Sequence, residues 1–305
     1  MHAPSDLLTA TPPSRGASSD EPGDARSDPG TWSVKRLSGA LGAEVLGIDL
    51  RLAQSAQTRQ ALRQLWLQHK VLFFRDQPLD GAQYMQFARS IGTPIEYPFV
   101  KGLPDFPEII EVKKLEHETV NFGGIWHSDT TYLERPPMAS MLLAREVPPQ
   151  GGDTLFANMQ MAYETLSAGL RSVLDGLRAV SSSAKADVSR TREDRIRSDG
   201  REDARRVYVA EHPVVRTHPE TGQKSLFVNI AHTERFVGWT AEESAPLLSM
   251  LYAHLTRPEF TCRFSWAPGS IALWDNRCTQ HNPINDYHGH RRLMHRITLE
   301  GDVPA

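Results

Sequence analysis

The N-terminal part of the folded chain has an alternation of apolar and polar residues that predicts strands and helices in turn. Residues 33–37 and 43–48 alternate apolar and polar positions around a glycine turn, which predicts two paired strands. Residues 56–69 carry apolar side chains at helical spacing, and residues 71–74 form a continuously apolar run that is typical of a buried strand. Asp80 is the predicted N-cap of a second helix.

The remainder of the chain is dominated by short strand-like runs separated by turn residues. We predict strands at residues 108–112, 138–146, 260–266, 270–274 and 295–299, a hairpin that joins 212–216 to 226–229, and helices at 161–177 and 242–255. Short strands with helices at one end predict a mainly β fold with helices, in which a double-stranded β-helix (jelly roll) core carries helical insertions.

Two segments differ from this pattern. Residues 1–30 are rich in Pro, Ser, Gly and Asp and have little to bury, so we expect a disordered N-terminal tail before a single domain at residues 31–305. Arginines alternate with acidic residues over residues 181–206. This alternation is typical of a solvated loop or surface helix, and the alternative is a mobile lid over a functional site.

Composition removes several classes of function. The chain has 305 residues, a formal net charge of −3 and only two cysteines, which argues against a general nucleic-acid binder and against a disulfide framework. It has neither an apolar run long enough to span a bilayer nor the apolar core of a signal peptide, so we expect a cytoplasmic protein. The partners we expect are a small anionic substrate and further copies of the same chain, with no nucleic acid and no membrane.

His127 and Asp129 are the first candidate metal ligands. In an extended strand, alternate side chains point to the same face, so the imidazole and the carboxylate can converge on one point. A His-x-Asp pair alone is weak evidence, and a catalytic metal needs a third ligand, for which His281 is the best candidate. Two imidazoles and one carboxylate form the facial triad of non-haem Fe(II) oxygenases, which keeps positions open for co-substrate and dioxygen.

Two arginines follow the third candidate ligand. Arg292 and Arg296 alternate with Met294 on one face of a predicted strand, so both can point into the interior of the fold. A buried guanidinium needs an anionic partner, and its planar fork fits a carboxylate or a sulfonate. Two such arginines beside a metal predict two anions, one from a co-substrate and one from a substrate.

In these residues the chain resembles the taurine dioxygenase family of Fe(II)- and 2-oxoglutarate-dependent oxygenases. The matching stretches, in the same order as in the family, are residues 41–45, 126–129, 151–154, 212–219 and 274–296. The resemblance implies that His127, Asp129 and His281 bind Fe(II). It also implies that Thr154 and Arg292 hold the distal carboxylate of 2-oxoglutarate, and that Arg296 holds an anionic group of the primary substrate. The implied reaction consumes O2, hydroxylates the substrate and releases succinate and CO2.

The chain departs from the taurine enzyme at three pocket positions. Tyr97 stands where that enzyme has a histidine, Gly123 where it has an asparagine, and His232 where it has a phenylalanine. Tyr97 and His232 are therefore candidate substrate-binding residues whose shape and hydrogen bonding differ. Since Arg296 keeps the positive anchor, we expect taurine to be a poor substrate and a bulkier sulfonate, sulfate ester or carboxylate to be a better one.

Two other functions are open to the same residues. A zinc hydrolase can also use His, Asp and His around a bound water, although it has no evident need for Thr154 and Arg292. A catalytically inactive small-molecule binding protein is the other alternative. Outside the triad, we interpret His212 and His218 as structural histidines and Cys278 as a small buried hydrophobe. Asp275 and Arg277 either support His281 or form a structural ion pair.

Overall fold

A computed structural model of the chain describes residues 26–27, 32–121, 123–185 and 206–305. Of the predicted tail, only Arg26–Ser27 is described, as a short strand that runs parallel to Ala53–Gln54. Of the predicted lid at residues 181–206, the segment 186–205 lies outside the described residues, and Ser181 and Ser182 end a strand.

Strands make up most of the regular structure. In chain order they are β1 Arg26–Ser27, β2 Ser33–Arg36, β3 Ala43–Leu46, β4 Ala53–Gln54, β5 Val71–Phe74, β6 Pro94–Ile95, β7 Ile109–Lys114, β8 Ala139–Glu146, β9 Thr154–Asn158, β10 Arg178–Ser182, β11 Val209–Pro213, β12 Val215–Thr217, β13 Lys224–Leu226, β14 Thr233–Phe236, β15 Thr261–Phe264, β16 Ile271–Asp275, β17 Thr279–Pro283 and β18 Arg292–Leu299.

The helices are short and begin at side-chain caps. They are α1 Ala56–His69, α2 Gly81–Ile91, α3 Met159–Glu164, α4 Ala168–Leu174 and α5 Ala241–Leu255, with a 3-10 turn at Pro258–Phe260. The hydroxyl of Ser55 accepts the backbone N–H of Thr58 at the start of α1. Asp80 forms the predicted cap of α2, with Gln83 completing a capping box. None of the helices in the described part of the chain has the length and apolar character needed to cross a bilayer.

Two facing sheets form the core of the domain. The major sheet runs β2-β3-β5-β16-β8-β18, and β18 also pairs with β6 and β7. The minor sheet runs β15-β9-β17 and is antiparallel. Within the major sheet only the β3–β5 pairing is parallel among the described strands. This architecture confirms the predicted mainly β class with a jelly-roll core.

Each face of the major sheet is covered by a different apolar cluster. On the outer face, Trp66 of α1 and Tyr84 of α2 are fully buried against β5, β8 and β16. Between the sheets, Phe156 of β9 packs with Trp274 of β16 and Met294 of β18. Full burial of one such side chain stabilises the fold by about 1.5–3 kcal/mol. The apolar layer between the sheets therefore fixes the positions of the strands that carry the candidate ligands.

Two details of the sequence prediction are wrong. The single helix predicted at residues 161–177 is two helices, because Ser167 accepts the N–H of Leu170 and starts α4 after α3 has ended at Glu164. The predicted hairpin is formed by β12 and β13 only. His212 belongs to β11, which pairs with β10 instead. Pro213 ends β11 and has no backbone N–H with which to continue a ladder.

Candidate active site

His127 and His281 are brought together by the backbone. The N–H of His127 donates to the carbonyl of His281 at 3.0 Å, and the N–H of His281 donates back at 2.8 Å. His127 therefore extends the minor sheet beyond β17. The prediction that a strand continues to Asp129 is wrong, since a turn begins there and Thr130 has a φ of 43°. The turn nevertheless brings Asp129 Oδ1 to 3.7 Å from His127 Nε2.

The three predicted ligands form one buried cluster. One donor atom from each of His127, Asp129 and His281 lies within 4.8 Å of the others. Nδ1 of His127 lies 2.7 Å from the carbonyl of Ile125, which must accept, so Nε2 keeps its lone pair for a metal. Nδ1 of His281 is buried without a hydrogen-bond partner.

The charge states of the cluster suit a divalent cation. Burial lowers the pKa of His127 and lowers that of His281 well below the ordinary value, so both imidazoles are neutral at neutral pH. Burial alone would raise the pKa of Asp129, but the positive charge of Arg296 and the hydrogen bond from Ser140 lower it, and the pKa lies below its usual range. Two neutral imidazoles and one carboxylate are the donor set that Fe(II) takes in a facial triad, so these residues fit the metal.

Asp129 is held by contacts on both of its oxygens. Ser140 Oγ on β8 donates to Oδ2 at 2.6 Å, and Nδ2 of Asn276 donates to the same hydroxyl at 3.0 Å. Trp274 Nε1 in turn donates to Oδ1 of Asn276 at 2.9 Å. On the other side, Nη2 of Arg296 lies 3.0 Å from Oδ1, as an ion pair without hydrogen-bond alignment. This orients the carboxylate before any metal is bound.

Sequence reasoning missed Ser140 and Asn276. The only signal for Ser140 is that it interrupts the apolar run of β8, where it is fully buried. Asn276 gives no comparable signal, because it lies in a polar turn beside Asp275. A buried hydroxyl inside a sheet needs a partner, and here that partner is the carboxylate of the candidate ligand Asp129.

A buried pocket with a cationic side chain lies at the start of β18. Arg292 is buried, and its Nε and Nη2 have no hydrogen-bond partner. Its guanidinium carbon lies 5.7 Å from the ring centroid of Trp266, whose Nε1 donates to Thr154 Oγ1 at 3.0 Å. Since Thr154 accepts there, its own hydroxyl hydrogen remains available for an acceptor in the pocket. Among the described residues, no carboxylate forms a salt bridge with Arg292, so the pocket fits an anion from outside the chain.

The predicted substrate residues contact each other or lie close to the triad. The guanidinium carbon of Arg296 lies 5.0 Å from the ring centroid of Tyr97. His232 Nδ1 lies 2.9 Å from Oγ1 of Thr131, and its ring centroid is 6.0 Å from that of His127. Burial lowers the pKa of His232 to about 3, so this ring is neutral at neutral pH. The structure thus brings all three predicted substrate residues close to the triad or to each other.

Gly123 also belongs to this site. Its φ of +69° is in the left-handed region, and a Cβ built there would lie 2.9 Å from Cε1 and 3.2 Å from Nε2 of His127. The glycine lets the backbone lie directly against the imidazole. A larger residue at this position would press on the nitrogen that faces Asp129.

Comparison with known proteins decides the family. The model of the protein family described as "Taurine catabolism dioxygenase TauD, TfdA family" matches residues 33–298. The chain belongs to this family. It is 36% identical to an alpha-ketoglutarate-dependent sulfate ester dioxygenase of Pseudomonas putida, over 89% of this chain and 90% of that protein. Alpha-ketoglutarate is another name for 2-oxoglutarate.

Solved structures agree with the TauD/TfdA assignment. A taurine dioxygenase from Burkholderia xenovorans is 38% identical, has a TM-score of 0.77 and is matched over 90% of this chain and 93% of its own. AAD-2 in complex with Mn(II) and N-oxalylglycine is 27% identical, with a TM-score of 0.73 over 90% and 99% of the two chains. As a TauD/TfdA member, the protein is an enzyme that uses Fe(II), 2-oxoglutarate and O2. Membership thus favours the oxygenase over the hydrolase and the inactive binding protein.

His218, Asp275 and Cys278 form a second group of possible metal ligands outside the triad. Their donor atoms also lie within 4.8 Å of one another. Both oxygens of Asp275 are already bound by Arg277, at 2.8 and 2.7 Å. His218 Nδ1 accepts two backbone N–H groups, so its Nε2 carries the proton that is donated to Asp275 at 3.0 Å. Burial raises the pKa of Cys278 well above the ordinary value. Asp275 and Arg277 form a structural ion pair, which is one of the two interpretations expected for them.

Asp275 also stabilises the turn that leads to His281, the third candidate ligand. Its carboxylate accepts the backbone N–H of Arg277, and its carbonyl accepts the hydroxyl of Thr279 at 2.7 Å. Thr279 begins β17, the strand that carries His281. The two interpretations therefore coincide, since the structural ion pair also supports the ligand. His212 is structural as well, with Nε2 lying 2.9 Å from the carbonyl of Leu133.

Proposed function

We propose that this enzyme hydroxylates the carbon next to the anionic group of a small alkyl sulfate or related acid. In the proposed site, His127, Asp129 and His281 hold Fe(II), and Thr154 and Arg292 bind the distal carboxylate of 2-oxoglutarate. The primary substrate lies against Arg296, Tyr97 and His232. We also propose that the protein is cytoplasmic and assembles with copies of itself.

The observation that carries the substrate class is the combination of Arg296 with an aromatic wall. Tyr97 packs edge to face on Phe99, with ring centroids 5.4 Å apart, and Phe99 packs in the same way on Tyr132 at 5.6 Å. Tyr132 then contacts His232, with 4.9 Å between the centroids. A buried cation at one end of an aromatic surface suits an anionic head on an apolar body. Taurine carries an ammonium group where such a substrate carries its apolar body, and an apolar wall does not solvate an ammonium group.

Similarity to the sulfate ester dioxygenase of Pseudomonas putida supports the same substrate class. Similarity to a taurine dioxygenase points to sulfonates, so the overall resemblance alone does not choose between them. The choice depends on the pocket residues. His232 is a neutral ring whose Nδ1 is occupied by Thr131. Its remaining nitrogen can donate to an anionic oxygen without adding a charge.

The chain's own contribution to the reaction is placement. Fe(II) with 2-oxoglutarate and O2 supplies the oxidant that removes a hydrogen from the substrate carbon. Ser140 and Arg296 fix the Asp129 carboxylate, and Arg292 anchors the co-substrate. The burial of these groups excludes water from the reacting carbon.

The proposed products follow from the atom balance. One oxygen atom of O2 enters succinate, formed from 2-oxoglutarate with loss of CO2, and the other enters the C–H bond beside the sulfate oxygen. The resulting hydroxyalkyl sulfate breaks its C–O bond to give an aldehyde and hydrogen sulfate. A sulfonate would instead release sulfite, and an aryloxyalkanoate would release a phenol.

A substrate panel tests the proposal. Alkyl sulfates of increasing chain length, alkyl sulfonates, aryloxyalkanoates and taurine are compared by substrate-dependent succinate formation, with sulfate, sulfite and phenol release measured in parallel. We expect alkyl sulfates to give the highest kcat/KM and taurine the lowest. A preference for taurine, or for neutral or cationic compounds, would overturn the assignment of the pocket.

Three arginines of one segment provide matched variants. Arg292→Met should raise the KM for 2-oxoglutarate about ten- to hundredfold, since hydrogen bonds to charged groups are worth about 1.5–3 kcal/mol. Arg296→Met should mainly raise the KM for the primary substrate. Because Arg296 also pairs with Asp129, metal affinity is measured on the same variant. The exposed Arg291, which pairs with Glu146, gives the control Arg291→Met, and both KM values should stay unchanged. Equal effects of all three variants would contradict the separate roles.

A further inference from the structure

We propose that Lys114 is a second cation for the distal carboxylate of the co-substrate, so that Lys114 and Arg292 together select a 2-oxo acid with a second carboxylate. The inference rests on the proposed 2-oxoglutarate site at Arg292 and extends it to a residue of another strand.

The register of the major sheet places the two side chains side by side. β7 and β18 are antiparallel, and Lys114 lies directly opposite Arg292. Residues opposite each other in antiparallel strands point to the same face, with Cβ atoms about 4.5–5.5 Å apart. The same register sets Val112 opposite Met294 and Ile110 opposite Arg296, all on the interior face. Lys114 therefore belongs to the Arg292 end of the interior and not to the Arg296 end.

Lys114 is buried and has no anionic partner. It is 3% exposed, and its Nζ has no hydrogen-bond partner. The ammonium lies over the ring of Tyr287, whose centroid is 4.5 Å from Nζ. The neighbouring Lys113 is more exposed and forms a salt bridge with Glu111 at 3.1 Å. A buried ammonium is costly without a compensating charge, so the position of Lys114 calls for an anion.

Tyr287 links the two cations into one pocket. A Cβ built on Gly152 would lie 3.3 Å from Cδ1 of Tyr287 and 3.5 Å from Cδ of Arg292, so the ring and the arginine stem both border this glycine. Gly152 precedes Thr154 by two residues, at the start of β9. The pocket thus brings the unpaired nitrogens of Arg292 and Lys114 and the free hydrogen of Thr154 to one end of the interior.

The chemistry of this donor set favours a carboxylate. One guanidinium can hold one carboxylate in a fork, and an ammonium adds a point charge without a fixed direction. Among the residues that the structure describes, no acidic side chain forms a salt bridge with either cation. The second carboxylate of a dicarboxylic 2-oxo acid supplies the missing charge, whereas a 2-oxo acid with an apolar end leaves both cations unpaired.

Equilibrium binding tests the inference without turnover. N-oxalylglycine, which stands in for 2-oxoglutarate, is titrated into the Mn(II)-loaded protein, and 2-oxopentanoate serves as the ligand that lacks the distal carboxylate. We expect Lys114→Met to weaken N-oxalylglycine binding about ten- to hundredfold and to leave 2-oxopentanoate binding unchanged. Lys114→Arg retains the charge and should restore most of the affinity. Lys113→Met is the matched control and should change neither.

The outcomes separate this inference from the proposed site. If Arg292→Met weakens N-oxalylglycine binding and Lys114→Met does not, Lys114 has no part in the pocket and the inference is wrong. If neither variant weakens it, the 2-oxoglutarate site itself is misplaced. Equal weakening of N-oxalylglycine and 2-oxopentanoate by Lys114→Met would show a loss of structure and not of a charge contact, which also overturns the inference.

Discussion

Removal of the Ser140 hydroxyl is the most informative single perturbation of the metal site. Ser140→Ala deletes a 2.6 Å hydrogen bond to Asp129 Oδ2 and leaves Nδ2 of Asn276 without its acceptor. A hydrogen bond to a charged group is worth about 1.5–3 kcal/mol. Loss of a contact that orients a metal ligand costs about ten- to hundredfold in metal affinity, or about 1.4–2.7 kcal/mol. The two magnitudes agree, so we expect the affinity for Fe(II) or Mn(II) to fall by that factor.

The loss at neutral pH comes from orientation. Arg296 still holds Asp129 ionised in the Ser140→Ala variant, because its charge does not depend on the hydroxyl. Anaerobic titration with Mn(II) at neutral pH therefore reports the geometry of the carboxylate. At lower pH the variant should lose metal earlier than the wild type, since one of the contacts that lowers the pKa of Asp129 is gone.

Ser225→Ala provides the matched control. Ser225 is also fully buried, and its hydroxyl donates to the carbonyl of Arg277 at 3.1 Å. This control should lower the free energy of unfolding by about 0.5–1.5 kcal/mol and leave metal affinity unchanged. If Ser140→Ala behaves in the same way as Ser225→Ala, the hydroxyl only stabilises the sheet and the reasoning about Asp129 is refuted.

Three further predictions concern other contacts of the site. Gly123→Ala should weaken metal binding at least about tenfold, because its Cβ would lie 2.9 Å from His127, whereas Gly222→Ala, with a similar φ of +70° and open space around it, should show the backbone strain alone. Asp275→Ala removes the buried carboxylate that pairs with Arg277 and leaves that guanidinium only Glu220, at 2.7 Å, so the free energy of unfolding, measured in urea, should fall by about 3 kcal/mol, the lower end of the loss for a broken buried pair; a loss below about 1 kcal/mol would contradict the structural role. His232, neutral in the folded state down to a pKa of about 3, takes up a proton near pH 6.5 only when the chain unfolds, so stability falls as the pH falls. Between about pH 7.5 and about pH 5.5 this contribution is about 1.4 kcal/mol, and His232→Gln should remove that part of the pH dependence.

Residues with a strong local pattern were predictable from the sequence. The boundaries of α1 and the cap of α2 at Asp80 follow from apolar spacing and a capping side chain, which act over a few residues. The interior face of β18 follows from the period of two that sets Arg292 and Arg296 on either side of Met294. The sequence also predicts the cluster of His127, Asp129 and His281, which the structure assembles.

Contacts between distant strands were not predictable in the same way. Ser140 lies beside Asp129 because β8 pairs with β16, and this pairing brings the inward-facing side chains of β8 close to the turn at Asp129. Lys114 lies opposite Arg292 only through the register of β7 and β18, which no local pattern encodes. The turn at Asp129 was missed for a related reason, since the sequence pattern suits a strand and the bridge to His281 ends the extended segment at His127.

The bridge between His127 and His281 also has a consequence for the stability of the whole domain. The two residues are separated by 154 positions (281 − 127), so the bridge closes a long loop of the chain. A divalent ion held by both residues, as proposed, would act as a cross-link across this loop and would bind only the folded chain. At a free metal concentration about 100 times the Kd, such binding stabilises the fold by about 2.7 kcal/mol. The melting temperature of the protein should therefore rise with the concentration of free metal.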